Sequence, residues 1–161
     1  MCFVKYNVRC EMNPWLDTFK NLEAKDGMYS VLGNHDYGYY AYDTDEEILD
    51  NHKKLEAIHK HIGFDLLLND SRTIERDGQK INILGVENWG ASRHFPKRGS
   101  LREATKNVEV DTFNILMSHD PSHFDFKEVE LGRSDKYNLN TVVDEPNIVD
   151  FERKIQLTLS T

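Results

Sequence analysis

A long amphipathic helix between residues 44 and 63 is the feature that most constrains the fold of this chain. Thr44 and Glu47 match a capping box, in which each side chain satisfies a free backbone N–H group of the first helical turn. Gly63 stands where a left-handed C-terminal cap is expected. The predicted inner face recurs at helical spacing and consists of Ile48, Leu49, His52, Leu55, Ile58 and Ile62. The sequence therefore predicts a helix that begins after Thr44 and ends before Gly63.

Short apolar segments on both sides of this helix have the composition of β-strands. The first is Met28 to Leu32, and the others are residues 64–69, 72–76, 79–86, 111–117 and 155–159. Asp77-Gly78 is a strong hairpin-turn dipeptide between two of them. Two further helices are expected, one at residues 14–24 with Pro14 in the first turn and one after a second capping box at Ser100. This alternation of helices and strands predicts an α/β fold.

Composition narrows the classes of protein to which the chain can belong. Its 161 residues correspond to about one domain. With 20 basic and 28 acidic residues the net charge is −8, which argues against broad electrostatic binding to nucleic acid, so no nucleic-acid partner is expected. Any anionic substrate must then be held by a local site.

Targeting signals are not expected in this chain. Its longest apolar runs fall far short of the roughly 20 residues that span a bilayer, so no transmembrane segment is predicted. Residues Met1 to Cys10 interleave polar with apolar side chains and lack the continuous apolar stretch of a signal peptide. Cys2 and Cys10 match no disulfide framework or zinc motif and are interpreted as free thiols in a reducing compartment.

Two polar loops, at Asn34 to Asp36 and at His119, directly follow predicted strands. In open α/β folds ligands bind beyond the carboxyl ends of strands. Imidazole nitrogens and amide oxygens bind divalent metals, and a carboxylate beside a histidine can fix its tautomer. On spacing alone, however, a His-Asp pair in a loop is more often a surface or capping feature.

The tetrapeptide Gly33-Asn34-His35-Asp36, placed after an apolar strand, resembles a signature of the calcineurin-like metallophosphoesterases. The resemblance continues through Tyr37-Gly38, the strand that ends at His119, and the segment Ile155 to Ser160. It implies an α/β sandwich of two mixed β-sheets flanked by helices. Within the family the chain looks most like a membrane-associated bacterial branch, which implies a cytoplasmic location or one peripheral to the bacterial membrane.

The function implied by this resemblance is metal-dependent hydrolysis of phosphate mono- or diesters. Members of the family bind two divalent metal ions (manganese, iron, zinc or magnesium), and a bridging hydroxide attacks phosphorus. Carried over to this chain, Asn34 and His119 ligate one metal, His35 is the general acid that protonates the leaving alkoxide, and Asp36 orients His35. The implied partner is a phosphoester substrate. The membrane-associated branch suggests a phospholipid or glycolipid phosphate, and a nucleotide or phosphoprotein fits equally well.

Several metal-binding motifs of the family have no counterpart in this sequence. Neither Asp-x-His nor Gly-Asp occurs in residues 1–13, and Ser160-Thr161 stands where Gly-His-x-His is expected. The expected organisation is a single partial metallophosphoesterase domain over residues 1–161, truncated at both ends of its catalytic core. It is family-like at 14–130 and 155–160 and atypical at 1–13 and 131–154. The alternative is a non-catalytic fragment or binding module that keeps the scaffold without most metal ligands.

Three other groups of residues carry open interpretations. The tyrosines that follow the tetrapeptide either wall a substrate pocket or pack their loop, and they are Tyr37, Tyr39, Tyr40 and Tyr42. Basic side chains around Trp89 either hold an anionic group or are solvated, with the second favoured, and they are Arg93, His94, Lys97 and Arg98. His123 is expected to be solvated or to cap its own turn rather than to bind a metal.

Overall fold

The computed structural model of the chain describes residues 12–90, 95, 97–109, 111–123 and 155–160. The expectations for Cys2, Cys10 and the atypical segment 131–154 lie outside these residues. The described helices are α1 (Leu16–Lys20), α2 (Asp45–His61) and α3 (Leu101–Ala104). The described strands are β1 (Met28–Ser30), β2 (Phe64–Leu66), β3 (Asp70–Arg76), β4 (Gln79–Gly85), β5 (Phe113–Met117) and β6 (Leu157–Leu159).

The α/β class predicted from the sequence is confirmed. Strands β3 to β6 form a four-stranded mixed sheet, β1 and β2 form a two-stranded sheet, and helices pack beside both. The chain divides into two compact units, residues 1–30 with 35–66 and residues 31–34 with 67–161. Across the described segments, no helix combines the length and the apolar character that crossing a bilayer requires. The expectation of a single partial domain stays a prediction.

In the first unit, helix α2 packs against β2, which pairs in parallel with β1. Its capping box is present as predicted: the Thr44 hydroxyl accepts from the Glu47 N–H at 3.2 Å, and the Glu47 carboxylate accepts from the Thr44 N–H at 3.2 Å. Gly63 follows the helix with φ +82°, which confirms the left-handed cap. Bounded by these two caps, α2 connects the two parallel strands β1 and β2 along the chain.

The inner face of α2 differs from the predicted one at two positions. Leu49 is 55% exposed, whereas Asn51 is buried with Ile48, Leu55 and Ile58. Leu49 lies at the margin of the apolar stripe, where hydrophobicity alone does not decide burial. Asn51 is buried because its amide makes two hydrogen bonds within this unit, which the apolar pattern does not reveal.

The first helix is shorter than the predicted 14–24. A 3-10 turn at Asn13–Trp15, with Pro14 in its first turn, leads into α1, which ends at Lys20. Trp15 and Leu22 are exposed, although the apolar residues Trp15, Leu16, Phe19 and Leu22 recur at helical spacing in this segment. Helices this short depend on tertiary packing of their apolar side, and here only part of that side is covered.

In the second unit, β4 and β5 are the central strands of the sheet order β3-β4-β5-β6. Strand β3 is antiparallel to β4, whereas β4, β5 and β6 are parallel to one another. The predicted Asp77-Gly78 hairpin is confirmed, with φ +53° and +77° at its two residues. The core cluster of this unit consists of Leu84, Val86, Leu101, Ala104 and Leu116.

A row of polar side chains crosses this sheet. The Thr73 hydroxyl donates to Asn82 Oδ1 at 2.7 Å, and Asn82 Nδ2 donates to Asn114 Oδ1 at 2.8 Å. The Gln156 side-chain oxygen accepts from the Asn114 backbone N–H at 2.7 Å. Both asparagines are buried and directly opposite each other in the β4–β5 register. This polar row therefore favours one pairing of the strands over any shifted one.

We expect Asn114→Ala to lower the free energy of unfolding by about 2 kcal/mol, because the buried Asn82 amide loses its acceptor. The exposed Asn107→Ala is the matched control and should change it by less than about 0.5 kcal/mol. Urea denaturation measures both. Replacing Asn82 and Asn114 together by leucine should recover part of the loss, and equal costs for Asn114→Ala and Asn107→Ala would contradict the role of the polar row.

Candidate functional site

Asn34 and His119 meet in the second unit. Asn34 Oδ1 and His119 Nε2 are 3.2 Å apart, and both side chains are half-buried. His119 stands two residues beyond the end of β5, as the sequence predicts. The structure thus brings together, across 85 positions of sequence, two of the four predicted site residues.

The end of β6 holds the backbone around His119. The Ser118 N–H donates to the Leu159 carbonyl at 3.0 Å, which continues the β5–β6 ladder by one step. The Ser160 hydroxyl donates to the His119 carbonyl at 3.0 Å. Strand β6 therefore fixes the position from which the His119 side chain extends.

Gly33 is buried against the His119 ring. A Cβ atom built on Gly33 would lie 2.8 Å from the imidazole Nε2, closer than packed atoms approach one another. Glycine is thus required here by the close approach of the ring to the backbone. Gly33 belongs to the tetrapeptide that resembles a family signature, and its contact with the His119 ring is a local physical reason for glycine at this position.

The Asn34–His119 pair has a geometry suited to two ligands of one metal ion. Ligand atoms about 2.1 Å from one ion, at angles of about 90 to 110°, lie roughly 3.0 to 3.4 Å apart. The 3.2 Å separation falls in this range, and it is also a hydrogen-bond distance at which a protonated His119 Nε2 donates to Asn34 Oδ1. Among the described residues there is no group of three or more His, Cys, Asp or Glu side chains that could hold a metal. An ion on this pair would therefore need further donors.

His35 and Asp36 belong to the first unit. The His35 side chain is exposed, and its ring lies edge-to-face against Tyr40 with ring centroids 4.9 Å apart. The Asp36 carbonyl accepts from Asn51 Nδ2 at 3.0 Å, and Asn51 Oδ1 accepts from the Tyr42 hydroxyl at 3.1 Å. Asn51 of helix α2 thereby holds the loop that carries His35.

Sequence reasoning missed Asn51 as a residue that positions this loop. The available signal was its place on the apolar face, three residues after Ile48 and four before Leu55. A polar amide at such a position must find hydrogen-bond partners when it is buried. Its partners come from the loop, which the sequence pattern cannot specify.

Most of the tyrosines in this loop serve to pack it. Tyr37 and Tyr39 are buried and stacked at 5.9 Å, and Tyr37 also stacks on His52 at 5.5 Å. Tyr42 is tied to Asn51. Tyr40 differs, since 62% of its surface is exposed. Of the two open interpretations, packing therefore applies to three tyrosines, while Tyr40 presents its ring to solvent.

The interpretation of His123 as solvated or as a cap is wrong. Its side chain is fully buried, its ring lies 4.6 Å from the Trp89 ring, and Nδ1 is 3.3 Å from the Ser118 hydroxyl. The capping side chain is Asp120, whose carboxylate accepts from the Ser122 N–H at 2.9 Å. Burial, with a smaller contribution from the Lys97 charge and against that of Asp120, lowers the pKa of His123 to about 4.

The favoured solvated interpretation of the basic residues near Trp89 is also wrong for the two that the structure describes. Lys97 is buried with its ammonium 4.4 Å from the centre of the Trp89 ring. Arg98 Nε lies 3.4 Å from the Glu87 carboxylate. Arg93 and His94 lie outside the described residues. The segment is basic in sequence, but Lys97 and Arg98 pack against residues of their own unit.

The chain is similar to the uncharacterized metallophosphoesterase YkoQ of Bacillus subtilis (strain 168), with 25% identity over 116 residues. The match covers 71% of this chain and 38% of that protein, so the chain spans well under half of the relative's length. No family model and no solved structure matches the chain. The similarity supports the resemblance to metallophosphoesterases and nothing finer, and the membrane-associated branch stays a prediction.

We expect Gly33→Ala to displace the His119 ring, because the added methyl group would occupy space that the imidazole holds. Nuclear magnetic resonance of the His119 ring nitrogens reports this displacement directly. Gly78→Ala is the control, since its added methyl group meets nothing within 4 Å although its φ of +77° makes it strained. Unchanged His119 signals in Gly33→Ala would contradict the close packing.

We expect wild-type stability to fall as the pH is lowered from 6.5 to 4, since the unfolded state then binds a proton at His123 that the folded state excludes. This difference amounts to roughly 3 kcal/mol over the window. His123→Phe keeps a ring beside Trp89 and should remove this part of the pH dependence. Urea denaturation at several pH values measures it, with the exposed His61→Gln as control. Equal slopes for wild type and His123→Phe would contradict the burial of neutral His123.

Proposed function

We propose that this chain carries part of the site of a metal-dependent hydrolase of phosphate mono- or diesters. The observation that carries the proposal is the 3.2 Å approach of Asn34 Oδ1 to His119 Nε2 beside the end of β5. The similarity to a Bacillus protein named as a metallophosphoesterase supports the same function in coarse terms.

In this proposal Asn34 and His119 are two ligands of one divalent ion. An amide oxygen with an imidazole nitrogen accepts manganese, iron, zinc or magnesium. Such an ion, when bound, neutralises the negative charge of the phosphate oxygens. Water, the substrate phosphate or other protein groups supply the remaining donors. The proposal also includes a second divalent ion, as in the metal pair of the family.

His35 acts in this proposal as the general acid. It is the residue after Asn34 in the chain, and its ring is exposed and therefore accessible to a ligand. As hydroxide attacks phosphorus and the bond to the leaving oxygen breaks, protonated His35 gives its proton to that oxygen. Asp36 orients His35, and the hydrogen bond from Asn51 to the Asp36 carbonyl supports the loop that holds both.

The substrate in this proposal is a phosphoester. The likeness of the chain to a membrane-associated branch of the family favours a phospholipid or glycolipid phosphate. Tyr40, next to His35, offers an apolar surface that a lipid or sugar could contact.

The first arm of the test is metal binding, measured by titration calorimetry with Mn²⁺. We expect Asn34→Ala and His119→Ala each to weaken binding at least about tenfold, because each removes one ligand. His61→Ala, which removes an exposed histidine at the end of α2, should leave binding unchanged. Equal affinities for His119→Ala and His61→Ala would exclude His119 as a ligand.

The second arm is hydrolysis of 4-nitrophenyl and bis(4-nitrophenyl) phosphate in the presence of Mn²⁺. Hydrolysis of benzyl phosphate, whose benzyl alcohol is a poor leaving group, is measured in the same way. His35→Ala should lower kcat for benzyl phosphate by about 10²-fold to 10⁴-fold and leave the metal affinity intact. The nitrophenyl esters should be less affected, since their leaving groups need little protonation. A wild-type chain that binds no metal and hydrolyses no ester would instead support the non-catalytic binding module.

A further inference from the structure

Tyr40 is an aromatic residue whose exposure is unusual for its neighbourhood. It is 62% exposed, while Tyr37 and Tyr39, which precede it in the chain, are buried at 1% and 5%. Contiguous exposed surface with apolar and polar parts is what marks binding sites, and Tyr40 adjoins the exposed imidazole of His35. The packing that explains Tyr37 and Tyr39 does not account for Tyr40.

The loop around Tyr40 is held in place by its own unit. Asn51 donates to the Asp36 carbonyl at 3.0 Å and accepts from the Tyr42 hydroxyl at 3.1 Å, on the two sides of Tyr40. The Gly38 carbonyl accepts from the N–H groups of Ala41 and Tyr42 at 2.9 and 3.1 Å. These bonds form a tight turn that fixes the backbone of Tyr40. The turn thus fixes the backbone that carries the exposed ring, which lowers the cost of ordering this segment when a ligand binds.

The exposed ring of Tyr40 lies against the ring of His35. Their centroids are 4.9 Å apart at an interplanar angle of 64°, an edge-to-face arrangement. Both side chains are exposed, so the pair forms a continuous surface with an imidazole on one side and an aromatic face on the other. We define this surface, His35 with Tyr40, as the aromatic ledge.

We propose that the aromatic ledge selects phosphoesters whose leaving alcohol carries a flat or cyclic apolar group. The inference rests on the proposed function in one respect, the role of His35 as proton donor to the leaving oxygen. Because the Tyr40 ring lies 4.9 Å from the imidazole, an alcohol whose oxygen is at His35 can place its carbon atoms against Tyr40. A ring on that alcohol can stack on the tyrosine, whereas a short alkyl group covers little of it.

The experiment compares wild type with Tyr40→Ala, Tyr40→Phe and Leu49→Ala. Leu49→Ala is the matched control, because Leu49 is an equally exposed apolar residue of the same unit, on helix α2. Binding of benzylphosphonate, cyclohexylmethylphosphonate and ethylphosphonate is measured with Mg²⁺ present by following the His35 ring signals in nuclear magnetic resonance. Hydrolysis of benzyl and ethyl phosphate, whose leaving alcohols have similar acidity, is measured in parallel with Mn²⁺.

We expect wild type to bind benzylphosphonate about tenfold more tightly than ethylphosphonate, as one good aromatic contact would give. Tyr40→Ala should reduce this preference to about twofold or less, while Tyr40→Phe and Leu49→Ala keep it. The ratio of kcat/KM for the two esters should change in the same way. Cyclohexylmethylphosphonate separates stacking by any ring, such as a sugar, from stacking by an aromatic ring.

Two results would overturn the inference: wild type without preference for the ring-bearing ligands, including no binding at all, or a preference that persists in Tyr40→Ala. Failure of the proposed function gives a different pattern. In that case neither ester is hydrolysed by any variant, yet the binding preference is present and depends on Tyr40. Conversely, hydrolysis of both esters at rates independent of Tyr40 would support the proposed function and contradict selection by the aromatic ledge.

Discussion

The register of the four-stranded sheet is the constraint on which the candidate metal ligands depend. Asn82 and Asn114 face each other across β4 and β5, and their amides are hydrogen-bonded inside the sheet. A shift of β5 by one residue would turn Asn114 to the other face and leave the buried Asn82 amide without its acceptor. Because β5 leads directly to His119, the pairing that satisfies these amides also sets where the imidazole stands.

Close approach is the second element of the arrangement. The His119 ring lies on the backbone of Gly33, and the next residue of that backbone is Asn34. The contact that forbids a side chain at position 33 therefore also brings the amide oxygen of position 34 to the imidazole nitrogen. In the first unit one side chain likewise makes two such contacts, since Asn51 holds the loop of His35 through both the nitrogen and the oxygen of its amide.

Much of the framework was predictable because it rests on local chemistry. The capping box at Thr44, the cap at Gly63 and the Asp77-Gly78 hairpin each involve residues within a few positions of one another. The proximity of Asn34 and His119 followed from the resemblance to a family signature, with the placement of both residues after strands as support.

The features that sequence reasoning missed depend on partners distant in the chain. Asn51 and His123 are polar residues that became buried because distant groups accommodate them, and no periodicity encodes such partners. The early end of α1 has the same origin, since burial of its apolar side is decided by what packs on it. The roles of His35, Asp36 and the metal ligands remain proposals that chemistry, not pattern, must test.

Asn69 joins the loop after β4 to the start of β3. It adopts a left-handed backbone with φ +58°, and its amide uses its full bonding capacity, donating to Glu87 and the Arg98 carbonyl and accepting from the Glu87 and Ser100 N–H groups. Glycine would fit the backbone but lose the four bonds, and aspartate would lose the donors. One side chain thus links Glu87, Arg98 and Ser100 to the start of the edge strand β3. Because these residues and the start of β3 can then open only together, they should exchange their amide hydrogens as a single cooperative unit.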